Sequence, residues 1–196
     1  MASLTLTDTI ADRLFANRSS WVRNAVLAVG GSLLLWASAK VQVPFYPVPI
    51  TMQTFVVLVL GMAFGWRLAA ATVGLYLLQG AAGLPVFAGT PERGIGIAYM
   101  VGPTGGYLLG YLVAAALVGW LAERGWDKRA ATTALAMVAG NAVIYALGVL
   151  WLGSVIGWDK PVLEFGLYPF IPGDILKIAL ATLALPLTWR LIDRRG

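Results

Sequence analysis

Six apolar stretches dominate the chain, at about residues 22–39, 52–64, 68–82, 104–122, 130–152 and 174–189. They are separated by short charged, proline-rich or glycine-rich pieces. A spanning helix takes about 20 residues, so these stretches and their connections account for most of the sequence. Of its 196 residues 59% are hydrophobic and only 12% charged, with mean hydropathy +0.80. Soluble domains carry about 25% charged residues. No interior of this size hides so much apolar surface, so the expectation is one integral membrane domain over residues 1–196, all-α, with six transmembrane helices. Residues 1–21 precede the first span and mix Leu4, Leu6, Ile10 and Leu14 with Asp8, Asp12 and Arg13. No apolar run follows these early charges, as it would in a secretory signal. The segment is expected to be a short amphipathic helix on the membrane surface, on the cytoplasmic side.

The composition also excludes chemistry. There is no cysteine and no histidine, so disulfides, thiolate metal sites and the usual general base are absent. The net charge of +5 is spread along the chain, unlike a nucleic-acid-binding patch. Gly102-Pro103-Thr104-Gly105-Gly106-Tyr107 opens the fourth span, but it lacks the Lys-Ser/Thr of a phosphate loop. No nucleophile–base pair or metal cluster is evident. The expectation is therefore no enzyme, no metal and no cofactor held by this chain.

The most informative charges are Asp174 and Lys177, in Pro172-Gly173-Asp174-Ile175-Leu176-Lys177. Three residues apart, they share one face of the last helix near its N-terminus, and Ile178 to Leu187 carries no charge after them. One reading is structural: Asp174 caps the helix and Lys177 snorkels to the interface. The other is a functional site, the default for an ionisable pair at membrane depth.

The distribution of basic residues bears on the choice. With six spans, Arg13, Arg18, Arg23, Arg67, Arg124, Lys128, Arg129, Arg190, Arg194 and Arg195 fall on one side, and Lys40, Arg93, Lys160 and Lys177 on the other. The positive-inside rule then puts both termini in the cytoplasm. It gathers Asp174, Lys177, Gln53, Gln79 and the long loops on the outer face. Among these loops, Val41 to Met52 has three prolines in six residues and an apolar, aromatic content. It is expected to take an extended path as a lid or a rigid connector. Residues 83–103 are expected to form defined turns. Several polar groups on one side, covered by apolar loops, favour a ligand pocket open to the outside.

An Asp carboxylate accepts hydrogen bonds and a Lys ammonium donates them. Together they match a neutral group with adjacent N–H and C=O, such as a urea or amide. Arg93 suits a carboxylate. Phe45, Tyr46, Phe87 and Tyr107 are candidates to pack an apolar ligand body. A small amphiphilic acid with a polar head fits this inventory. Within the bundle, Ala28-x-x-x-Ser32 offers small residues for close helix approach. Asn141 and Tyr145 lie one turn apart, suited to a helix–helix hydrogen bond or to the pocket.

Pro47-Val48-Pro49-Ile50-Thr51-x-Gln53, Gly83-Leu84-Pro85-Val86-Phe87, Arg93-Gly94, Gly102 to Leu108, and Pro172-Gly173-Asp174-x-x-Lys177, in this order and spacing, resemble the BioY family. These are the biotin-specific S components (substrate-binding subunits) of energy-coupling factor (ECF) transporters, in the prokaryotic cell membrane. The resemblance implies the six-helix S-component fold and capture of biotin from outside. It also implies a transmembrane coupling protein of the EcfT/BioN type and ABC ATPases of the EcfA/BioM type, which hydrolyse the ATP. It carries Asp174 and Lys177 to the biotin head, places Gln53, Arg93 and Tyr107 in the pocket motifs, and makes Val41 to Met52 the lid. It sets Ala28-x-x-x-Ser32 at the family's small-residue docking spacing. Alternatives are an S component for another vitamin, a small intramembrane enzyme with Asp174 as base, and an assembly subunit that binds no small molecule.

Overall fold

The computed structural model describes residues 8–14 and 20–193. Leu4, Leu6, Arg18, Arg194 and Arg195 lie outside them. The elements are α1 (Ile10–Leu14), α2 (Ser20–Lys40), β1 (Gln42–Val43), β2 (Ile50–Thr51), α3 (Gln53–Ala81), α4 (Gly96–Met100), α5 (Gly105–Ala122), α6 (Ala130–Ile156), α7 (Val162–Gly166) and α8 (Ile171–Asp193). Among the described residues, five helical segments are long and apolar enough to cross a membrane.

Spans expected separately at 52–64 and 68–82 are the two limbs of α3. Gly65 alone within it leaves helical geometry, at φ 75° and ψ 169°. Gln53 Nε2 donates to Tyr76 Oη at 2.7 Å. A straight helix would hold those residues about 35 Å apart, so α3 doubles back at Gly65 and its limbs run antiparallel. Five elements thereby supply six helical limbs. Glycine is needed at the reversal, because L side chains rarely adopt this φ. The carboxylate of Glu123 also lies against the turn, accepting from Trp66 N–H at 3.1 Å. An anion there satisfies an orphan donor at the start of the second limb.

Small residues let α2 approach α3. A Cβ on Gly31 would stand 2.6 Å from Thr72 Cγ2. Ser32 is fully buried and accepts from Gln79 Nε2 at 3.3 Å. The close approach expected of Ala28-x-x-x-Ser32 is therefore made within the chain, to the second limb of α3. The core lies between α3, α5 and α6, around Leu58, Met62, Tyr76, Val118, Met137 and Ile144. Helix α8 packs chiefly on α6 and leaves Ile175, Leu176, Leu180, Leu183 and Leu187 exposed. Such an apolar surface belongs in hydrocarbon.

The two ends of the bundle differ. At the basic end, Thr9 and Asp12 cap α1 reciprocally: Asp12 N–H donates to Thr9 Oγ1 at 3.2 Å and Thr9 N–H to Asp12 Oδ2 at 3.2 Å. Ile10 and Ala11 are buried against the bundle, so α1 docks on protein rather than lying free on a surface. Trp189 Nε1 donates to the buried Asp127, joining α8 to the turn before α6.

At the opposite end the loops are more ordered than expected. Residues 42–51 close an antiparallel hairpin, Gln42 opposite Thr51 and Val43 opposite Ile50. Short helix α4 occupies a stretch where turns alone were expected, and α7 lies between α6 and α8. Helix α6 runs to Ile156 rather than about 152, and α8 begins at Ile171 rather than 174. Proline is tolerated in a first turn, so Pro172 does not delay α8.

Candidate ligand-binding site

Asp174 sits in the first turn of α8 and is only 4% exposed. Three donors converge on its carboxylate. On its own helix, Lys177 Nζ approaches Oδ1 to 2.9 Å. On the first limb of α3, Thr54 Oγ1 donates to Oδ1 at 3.2 Å. On α6, the Tyr145 hydroxyl donates to Oδ2. Lys177 Nζ also donates to Thr51 O at 2.9 Å and Thr54 Oγ1 at 2.8 Å. The ammonium thus has an acceptor for each of its three protons. Neither member of the pair faces lipid, and the cluster ties α3, α6 and α8 together at the loop-covered end.

Thr51 extends this cluster to Gln53. Its hydroxyl accepts from Gln53 N–H at 3.2 Å and lies 3.5 Å from Gln53 Oε1. Gln53 is buried, and its amide nitrogen is held by Tyr76, whose own hydroxyl donates to Val86 O at 3.1 Å. Tyr107 is buried and donates to Gly166 O at 2.7 Å. Its ring lies 6.3 Å from that of Phe170, which is 6.1 Å from the ring of Tyr145. Gln53, Thr51, Tyr107 and Tyr111 share the lining of a cavity of about 20 Å³ beneath Val48 and Pro49. That space holds about one water, far below the roughly 300–1,000 Å³ of small-molecule pockets.

Arg93 lies apart from the cluster. It is exposed, and its guanidinium donates to Phe45 O at 3.1 Å and Pro47 O at 3.3 Å, inside the proline-rich loop. Lys40 makes a second stitch, donating to Phe87 O, Thr90 O and Thr90 Oγ1, each at 3.1 Å. The two cations fasten the 41–52 and 83–94 loops over the site. Phe87 is fully buried between Tyr76 and Tyr99 and serves the core, while Tyr46 is 81% exposed. Neither lines the cavity beneath Val48 and Pro49.

Sequence reading passed over Thr51 and Thr54. Their signal was position alone, two residues before and one residue after Gln53. Tyr145 was noted for its spacing to Asn141, yet it bonds Asp174. Asn141 is buried with its Oδ1 unpartnered. Gln79 is taken up by Ser32.

Residues 8–194 match the model of the BioY family. The chain is 38% identical over 151 residues to the biotin transporter BioY of Thermotoga maritima, covering 76% of this chain and 86% of that protein. It is 36% identical over 145 residues to the probable biotin transporter BioY of Pyrococcus horikoshii, covering 74% and 83%. It is 37% identical over 150 residues to the biotin transporter BioY of Rhizobium etli, covering 73% and 79%. Its fold matches the solved S-component for biotin from an ECF-type ABC transporter with TM-score 0.70, at 23% identity, over 91% of this chain and 95% of that one.

Proposed function

The chain belongs to the BioY family, and on that premise we propose that it is the biotin-binding S component of an ECF-type transporter. Biotin joins a ureido ring, a thioether ring and a valerate carboxylate. The observation that carries the reading is the buried Asp174–Lys177 pair. It sets an acceptor and a donor side by side, complementary to a ureido N–H and C=O. Asp174 accepts the ureido N–H, Lys177 redirects one of its three protons to the ureido oxygen, Gln53 and Tyr107 line the pocket, and Arg93 meets the carboxylate.

Ligand reaches the pair from the loop-covered end. Arg67, Arg124, Lys128, Arg129 and Arg190 stand at the other end, which faces the cytoplasm by the positive-inside rule. The 41–52 loop moves aside to enlarge the cavity and closes once biotin is bound. A transmembrane coupling protein and ABC ATPases supply the energy for release inward. The chain acts by binding rather than catalysis, in keeping with its transporter family.

Mass spectrometry of small molecules retained through purification, followed by calorimetric titration with biotin, tests the reading. Retained biotin and saturable 1:1 binding are expected. A different retained vitamin, or no heat with biotin after ligand stripping, overturns it.

A further inference from the structure

Among the described residues, the only hydrogen bond of the Tyr145 side chain is the one it donates to Asp174 Oδ2, and no group donates to its hydroxyl oxygen. A phenol has one proton and two lone pairs. With that proton committed to the carboxylate, Tyr145 Oη presents lone pairs only. Asp174 Oδ1 is already engaged by Lys177 and Thr54. Its Oδ2 receives Tyr145 alone and keeps acceptor capacity. Asp174 Oδ2 and Tyr145 Oη are therefore adjacent atoms that both accept and cannot donate.

The ring of Tyr145 is set by its neighbours. It lies against Phe170, whose other neighbour is Tyr107 of the cavity wall. It is held by α6, an element that contributes no charge to the site. Its hydroxyl reaches from α6 to α8, fixing which carboxylate oxygen faces which partner. The ionisable groups around Asp174 are Lys177 on α8, Tyr145 on α6 and Tyr111 on α5. Of these, Tyr145 alone combines a hydrogen bond to Oδ2 with free lone pairs.

We propose that Tyr145 is a specificity-determining residue of the biotin site: by donating to Asp174 Oδ2 it orients the carboxylate and leaves an acceptor-only corner that selects a ureido N–H. This rests on the reading that Asp174 meets that N–H. A ligand placing an N-methyl or a ring oxygen in this corner leaves its acceptors unmatched and is rejected. Phenylalanine at 145 keeps the ring, removes one of the two acceptors and releases the orientation of the carboxylate, which weakens this demand.

The experiment titrates detergent-purified wild type and Tyr145→Phe with biotin and with its two ureido mono-N-methyl isomers. In the wild type, one isomer binds at least about 10-fold more weakly than biotin, since it lacks the N–H that faces Asp174. Tyr145→Phe weakens biotin about 10-fold and leaves that isomer's affinity unchanged, so the discrimination shrinks by the same factor. The other isomer follows biotin. Equal loss for all three ligands makes Tyr145 merely structural and overturns the inference. So does unchanged biotin affinity in Tyr145→Phe, or a wild type that does not distinguish the isomers. A wild type that binds no biotin overturns the biotin reading itself.

Discussion

Replacing Asp174 by Asn preserves shape but removes the charge on which three donors converge. Lys177, whose side chain is 12% exposed, keeps two neutral acceptors, Thr51 O at 2.9 Å and Thr54 Oγ1 at 2.8 Å. Removing one partner of a buried ion pair costs about 3–5 kcal/mol. Here the remaining acceptors, together with an asparagine carbonyl turned toward Lys177, soften the loss to about 2–3 kcal/mol of stability. The amide nitrogen then faces Tyr145, which must reverse from donor to acceptor. For the ligand, a charged acceptor becomes a neutral amide, costing at least about 2 kcal/mol, or about 30-fold in Kd. Calorimetric titration with biotin reads the affinity, and thermal unfolding of the ligand-free protein reads the stability. Lys177→Met sharpens the comparison. Because the two side chains form one unit, the double variant is less destabilised than the sum of the single variants. Asp174→Asn binding biotin within about threefold of wild type would refute the assignment of this carboxylate to the ligand.

Gly65→Ala strains a backbone at φ 75° and pushes a methyl against Glu123 Oε1, 2.6 Å away, and Thr9 Cγ2, 3.0 Å away. A loss of about 2 kcal/mol or more is expected, read as a lower unfolding temperature. Arg93→Ala removes charge-assisted bonds between the two covering loops, and Lys40→Ala removes those that tie the 83–94 loop to the end of α2. Each is expected to raise the biotin dissociation rate about 10-fold, measured by chase of labelled ligand; unchanged rates would show that these cations do not fasten the lid. At the basic end, burial raises the carboxyl of Asp127 above its usual range, although the Trp189 bond pulls it down. A carboxyl raised on folding binds its proton more tightly in the native state. Wild-type stability should therefore fall as pH rises through the acid range, from the unfolded carboxyl's pKa to the higher folded one. Asp127→Asn keeps an acceptor for Trp189 and should flatten that dependence, with equal or higher stability at pH 7, followed by unfolding temperature from pH 4 to pH 7.

Hydropathy alone required a membrane bundle, because so many apolar stretches of spanning length need hydrocarbon as solvent, where every backbone group must be satisfied within its own helix. Motif order was similarly legible: Asp174 and Lys177 share a helical face by spacing, whatever surrounds them. The sequence was silent wherever partners came from distant elements. Nothing local distinguishes Thr54 from any other threonine, or tells whether Tyr145 meets Asn141 or a carboxylate 29 residues away. Arg93 was legible as a partner for a carboxylate, and only the folded loops give it two carbonyls. Gly65 read as the end of one helix, and the Gln53–Tyr76 bond reveals a reversal without a loop. Periodicity and composition are sums over neighbours in sequence, so they fix solvent and secondary structure. Which donor meets which acceptor is decided by helix packing, and that belongs to the tertiary structure.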